Sequence, residues 1–206
     1  MAPDEPVRPA PGVEERLRAA TVGPLTPLNG KITLAPYSDE WPRQYEAEAA
    51  RIRGALAERA LLLEHAGSTS IPGLCTKPII DIILVVANPA DEPAYVPALE
   101  AEGYALHIRE PDWYQHRVLK GVAPAVNLHV FGPNCEEVAR MLAFRDWLRH
   151  DAGDRERYAR TKRELARRDW AYIQEYADAK TAIVHAILAR ALAWRQTDET
   201  LPGDTQ

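Results

Sequence analysis

Cysteines and long apolar runs are scarce in this chain, and each absence excludes a class of protein. Two cysteines, Cys75 and Cys135, make neither a disulfide framework nor a zinc site. That usage reads most simply as a reducing, cytoplasmic setting. No segment reaches the ~18 consecutive apolar residues of a membrane span. Residues 1–30 hold six prolines and no apolar run, so they are not a signal peptide. A basic excess is missing too: 25 Lys and Arg stand against 30 Asp and Glu, and the net charge of −5 argues against a dedicated nucleic-acid binder. No solenoid-type repeat is present.

What is there is an ordinary soluble composition over 206 residues, enough for one domain with a real core. Residues 1–24 are expected to be a flexible Pro-rich segment and 196–206 a flexible tail, because their composition cannot offset ordering entropy. The domain spans 25–195, with 25–32 packed on it as an arm. Residues 32–36 read as a short strand. Asp39 then caps a helix running to about Ala57, with Trp41, Tyr45, Ile52 and Leu56 inward. Strands follow at 60–66 and 79–87, the second too uniformly apolar for an exposed edge. A helix at 92–102 closes on Gly103. A strand spans 104–109, and 114–119 with 125–131 make a hairpin across Lys120-Gly121. Helices at 135–150, 154–168 and 169–195 complete the chain. The fold class is α/β (α+β), a mixed sheet with flanking helices and a helical C-terminal part.

Chemistry concentrates between the second and third of these strands. The loop Gly67-Ser68-Thr69-Ser70-Ile71-Pro72-Gly73 is either a tight turn or a cradle in which small residues and hydroxyls approach a phosphate. It is no Walker A loop, since no Gly-Lys-Ser/Thr follows. Asp81 then stands among Ile79, Ile80, Ile82, Ile83 and Leu84. A carboxylate there binds metal, acts as acid or base, or pairs with Lys77 or an arginine. The next same-face position is Ile83, not an acid. Strand period puts Asn127 and His129 on one face, away from Val126, Leu128 and Val130. His65, Asp81 and His129 are expected to converge on one cleft. Trp113, Tyr114, His116 and Arg117 form a candidate rim that stacks on a ring or holds an anion.

The helical part repeats a pattern, Tyr158-x-x-x-Lys162 and Tyr176-x-x-x-Lys180. Lys180 interrupts an apolar stripe of the last helix. Its amine, like that of Lys162, either snorkels to solvent or points at an anion over the sheet. Arg145, Asp146 and Arg149 read as a solvated or ion-paired face.

At these residues the chain resembles the GrpB family of the nucleotidyltransferase superfamily. The resemblance covers about residues 25–193. It rests on Glu64-His65-Ala66-Gly67-Ser68-Thr69-Ser70-Ile71-Pro72-Gly73-Leu74, Lys77-Pro78-Ile79-Ile80-Asp81-Ile82, Asn127-Leu128-His129-Val130, Phe144-Arg145-Asp146-Trp147-Leu148-Arg149 and Tyr176-Ala177-Asp178-Ala179-Lys180. It implies a nucleotidyltransferase-like mixed sheet. It also implies a Gly-Ser turn, here Gly67-Ser68, that holds nucleotide phosphates, and strand carboxylates that bind divalent metal. Asp81 matches the first carboxylate; the second falls at Ile83 and is missing.

Three functions follow as expectations. The first is metal-assisted nucleotidyl or phosphoryl transfer from a nucleoside triphosphate to a small acceptor. Asp81 and His129 would hold magnesium, and Gly67, Ser68, Thr69, Ser70, Lys77, Arg117, Asn127 and Lys180 would hold the nucleotide. The second is a catalytically incomplete binding module for a nucleotide or phospholigand. The third is an acid/base enzyme without nucleotide, using Asp81 with His65 or His129. The expected partner is a small molecule or nucleotide, with no membrane and no dedicated nucleic-acid binding, on a monomer or homodimer.

Overall fold

The structure, a computed structural model, describes residues 7–199. Its centre is a five-stranded mixed sheet of β1 (Leu62–Ala66), β2 (Ile80–Val85), β3 (Ala105–Glu110), β4 (His116–Val122) and β5 (Ala125–Phe131), in the order β1-β2-β5-β4-β3. Only β2 and β5 run parallel; the other pairs are antiparallel. Alternation along the strands sorts the side chains. Ile80, Ile82 and Leu84 join Val126, Leu128, Val130 and Leu119 in the larger core, beneath α2 (Glu40–Leu56) and α3 (Val96–Ala101). Each such buried aliphatic contributes ~2 kcal/mol of apolar burial. The other face carries Ile83, Val85 and Phe131 under Val138 of α4 (Glu136–His150). That face also presents Asp81, Asn127 and His129, beyond the apolar cover. The expected mixed sheet with flanking helices and a helical C-terminal part is the architecture found.

Several expected elements differ. Residues 32–36 form no strand; Ala35 makes a lone bridge to Thr76 as part of the arm. Asp39 stands at the N-cap of α2 without a side-chain cap bond. The segment expected to be flexible contains α1 (Val13–Ala20), with Glu14 and Glu15 in its first turn and Arg18 in its last, the favourable order for a helix dipole. Behind α1, Thr21 bridges to Ile108 on the edge strand. Residues 1–6 and 200–206 lie outside the described residues, and 196–199 of the expected tail continue the last helix. The hairpin turns at 123–124, not at Lys120-Gly121, which pair within β4. Gly121 serves close approach, because a Cβ there would lie 3.2 Å from the Tyr104 ring. Tyr114 and Gln115 have φ of 51° each, so the chain turns there before β4 begins.

The C-terminal helices are α5 (Ala152–Ala166), α6 (Ile173–Asp178) and α7 (Thr181–Glu199). The single helix expected at 169–195 is therefore divided. Its start is lost to the arm: Leu28 N–H donates to Ala171 O at 2.7 Å, and Gly30 and Trp170 exchange both backbone bonds. Glu175 then accepts from the N–H groups of Ala171 and Tyr172, fixing a new start. Among the described residues, no helix is long and apolar enough to cross a membrane.

Candidate phosphate and carboxylate cleft

β1 runs through Gly67 (φ 63°, ψ −170°) into a 3₁₀ turn, Ser68–Ser70. Only glycine suits this turn, because a Cβ at 67 would overlap the Asp81 carboxylate and lie 2.7 Å from its Cβ. The parallel register sets Asp81 opposite Asn127, whose Nδ2 donates to Oδ1 at 2.9 Å. His129 Nε2 lies 3.8 Å from the same oxygen. Burial pushes the Asp81 carboxyl up, but His129, Asn127 and Lys77 outweigh it and hold it below the usual range. Ile83, the next residue on this face, is fully buried under α4. Among the described residues, no group of three His, Cys, Asp or Glu is placed to hold a metal.

A relay runs back from His129. Glu110 Oε2 lies 2.8 Å from His116 Nδ1, and His116 Nε2 lies 3.1 Å from His129 Nδ1. Burial depresses the His116 pKa, which favours the neutral ring. A carboxylate on Nδ1 assigns the proton there, so Nε2 of His116 accepts from Nδ1–H of His129. The remaining nitrogen of His129 then faces Asp81.

Across the cleft stand three lysines. Lys180 Nζ sits 4.4 Å from the Tyr176 ring centroid and Lys77 Nζ 5.7 Å from it, while Lys162 Nζ is 5.3 Å from that of Tyr158. Lys162 is 2% exposed and Tyr176 1%. The ammonium of Lys162 and the hydroxyl of Tyr176 are both buried without a hydrogen-bond partner. Burial, then the charge of Lys180, lowers the Lys162 pKa to about 7. Burial, then Lys77, lowers that of Lys180 to about 8. Burial depresses Lys77 as well. All three feel the Asp81 charge, and Tyr158 interacts with Ser68, so the lysines, the Gly-Ser turn and the carboxylate share one site. A cavity of about 290 Å³ adjoins it at Gly67, walled by Met141, Phe144, Val184 and Leu188.

Not every expected residue converges here. His65 pairs in register with Ile82, and so lies on the opposite sheet face from Asp81. It stacks on Tyr45 with centroids 4.7 Å apart, and its Nε2 meets Thr69 Oγ1 at 3.1 Å. Burial, then Arg149, lowers its pKa to about 4. Thr69 is spent on that contact and on Ile79 O, and Ser70 Oγ donates to Gly67 O. Arg117 is no rim residue: it is buried on the other face and donates to Glu92 at 2.6 Å. His116 is buried in the relay, while Trp113 and Tyr114 are exposed. Lys180 reaches the cleft from the α6–α7 junction, not from mid-helix. Lys162 does not snorkel. Glu110 is the member of this site that the sequence does not point to, since its spacing six residues before His116 carries no signal.

Comparison with known proteins identifies the family. The family model described as GrpB protein matches residues 31–190. UPF0157 protein BH1888 of Halalkalibacterium halodurans is 55% identical over 183 residues, 89% of this chain and 94% of that one. UPF0157 protein SCO7215 of Streptomyces coelicolor is 40% identical over 166 residues, 81% of this chain and 87% of that one. The crystal structure of the conserved protein GrpB from Enterococcus faecalis aligns at 30% identity with a TM-score of 0.71, covering 80% of this chain and 99% of that one. The extent of these matches, over the same segments that build the cleft, shows that the chain belongs to the GrpB family.

Proposed function

We propose that the cleft binds the phosphates of a nucleotide or related phosphorylated small molecule, with lysines as the main neutralising charges. One observation carries this reading: a buried ammonium and a buried hydroxyl, Lys162 Nζ and Tyr176 Oη, each lack a hydrogen-bond partner, and the Tyr176 ring is itself flanked by Lys77 and Lys180. Leaving such groups unpaired is costly, and an anion that accepts from both removes the cost. Ser68 interacts with Tyr158, the ring beneath Lys162, and the adjoining cavity of about 290 Å³ at Gly67 has room for a ring.

Magnesium takes oxygen ligands, commonly one or two carboxylates completed by substrate phosphates. Asp81 is the one carboxylate that β2 turns to this face, with Ile83 where a second would stand, and the neighbouring Glu64 and Glu110 are engaged by Arg145 and His116. That donor set fits a single ion shared with the phosphates of a ligand and does not fit a two-ion centre. Asp81 would hold it through oxygen, with His129 beside the carboxylate rather than as a ligand, and it would supply polarisation of a phosphoryl oxygen. The relay, which turns a His129 nitrogen toward Asp81, favours this second reading, in which the site also transfers a nucleotidyl or phosphoryl group. Asp81 then orients the acceptor or takes its proton, while the lysines stabilise charge on the leaving phosphate.

Thermal shifts with ATP, GTP, CTP and UTP, each with and without magnesium, separate the readings. Metal-independent stabilisation that disappears in Lys162→Met supports phosphate binding. Stabilisation that needs magnesium and disappears in Asp81→Asn supports the transfer centre. Failure of every nucleotide to shift the melt sinks both and leaves acid/base chemistry by Asp81 and His129.

A further inference from the structure

A larger cavity, about 650 Å³, opens at the outer edge of the sheet beside β1, and the phosphate cleft does not use it. Three arginines line it, and they are not equivalent. Arg145 is neutralised: it meets Glu64 and Asp146, each at 2.7 Å, and donates to His65 O. Arg149 and Arg155 are instead held by main-chain carbonyls. Arg149 Nε donates to Ser70 O at 2.9 Å, and Arg155 Nη1 to Leu148 O at 2.9 Å. The nearest carboxylate to Arg149 is Asp146 at 3.8 Å, already engaged at 2.7 Å by Arg145 and by Arg195. Arg155 makes no ion pair among the described residues. Two guanidinium groups are therefore oriented by carbonyls, one sharing an already engaged carboxylate at 3.8 Å and the other in no ion pair among the described residues, which is how an oxyanion receptor is preorganised. Burial, then Arg145, lowers the Arg149 pKa, the direction expected of crowded positive charge.

The rest of the cavity supplies a body for the ligand. Tyr37 stands on one side, edge-on to Trp41 at 5.5 Å between centroids. The stacked Tyr45–His65 pair forms another wall. Thr69 Oγ1 donates to Ile79 O and so accepts from Nε2–H of His65, which leaves Nδ1 of the neutral ring an acceptor. We infer that this cavity is a second ligand site, separate from the lysine cleft, for a small organic anion whose carboxylate or phosphate is taken by Arg149 and Arg155 and whose ring lies among Tyr37, Tyr45 and His65. The family segment Phe144-Arg145-Asp146-Trp147-Leu148-Arg149 and the histidine before the Gly-Ser turn thereby acquire one shared role.

The test titrates the intact protein with phenyl phosphate, benzoate and inorganic phosphate, following arginine Nε–H signals by NMR. Saturable shifts at Arg149 and Arg155 with phenyl phosphate or benzoate are expected, and the tighter of the two identifies the anion. Arg149→Gln should weaken binding by about tenfold or more. Tyr37→Ala should lower affinity for the aromatic probes toward that for inorganic phosphate. Lys162→Met should change neither, so failure of the lysine cleft leaves this result intact. Binding that survives Arg149→Gln in a folded variant, binding lost in Lys162→Met, or absence of saturation with both aromatic probes overturns the inference.

Discussion

The backbone of Gly67 lies directly under the carboxylate of Asp81, so that no side chain fits between them. The Gly-Ser turn and the strand that carries the acid are thus one packing unit. Gly67→Ala is expected to cost about 2 kcal/mol or more, from the overlap and from a φ of 63°. Asp81→Gly in the same chain should recover much of that loss, because the two changes share one contact. Urea denaturation of both single variants and the double variant checks it.

Lys162→Met replaces a buried ammonium without a hydrogen-bond partner by an apolar chain of similar length. Stability should rise by about 1–3 kcal/mol at pH 7 while nucleotide binding falls. The sign with pH follows from the lowered pKa. Between about 7 in the folded chain and 10.5 in the unfolded one, the unfolded state holds more protons, so the wild type gains stability as pH rises through that window. Below it both states are protonated and the destabilisation is fully present. Urea midpoints at pH 7 and pH 9 should therefore converge between wild type and variant at the higher pH.

Glu110→Gln removes the carboxylate that orders His116. The tautomers of His116 and His129 should then become mixed, and the ¹⁵N chemical shifts of both rings report it. Retention of the wild-type shifts would show that Glu110 does not set the relay. The fold should survive, since Glu110 is half-exposed on an edge strand.

Asp154 is 1% exposed and accepts from Trp147 Nε1 and from two nitrogens of Arg190, tying α4, α5 and α7 together. Burial raises its pKa, but Arg190 and Trp147 outweigh burial and depress it. Its contribution is present above the unfolded value of 3.8 and lost as pH falls through the lower folded value. Asp154→Ala should cost about 3 kcal/mol at pH 7, and progressively less as pH falls below 3.8, by thermal melts.

Asp81, Asn127 and His129 are legible in the sequence because strand alternation alone puts them on one face, and the parallel pairing of β2 with β5 makes the faces coincide. His65 misleads for a matching reason. The register sets Ala66, not His65, opposite Asp81, and a shift of one residue reverses a strand side chain. Arg117 is hidden similarly, since Glu92, its partner, comes from a turn 25 residues away. Lys180 looks like mid-helix because the break at 179–180 is marked only by a turn bond, Lys180 N–H to Ala177 O, while the helix start is displaced by the arm's claim on residues 170–171, a contact no local pattern encodes.

That claim by the arm reaches further. From Thr21 on the β3 edge, through Leu28 and Ile32 against Tyr176 and Leu165, to Ala35 on the loop before β2, one strip of chain touches both walls of the cleft and neither of its floors. The gap between lysines and carboxylate is therefore set by a tether, in the way a hinge pin sets the play of a door. Substitutions in the tether should retune the proposed phosphate binding with every site residue intact, and a chain cut at the start of the family match, residue 31, would keep Ile32 and Ala35 while losing the anchors at Thr21 and Leu28.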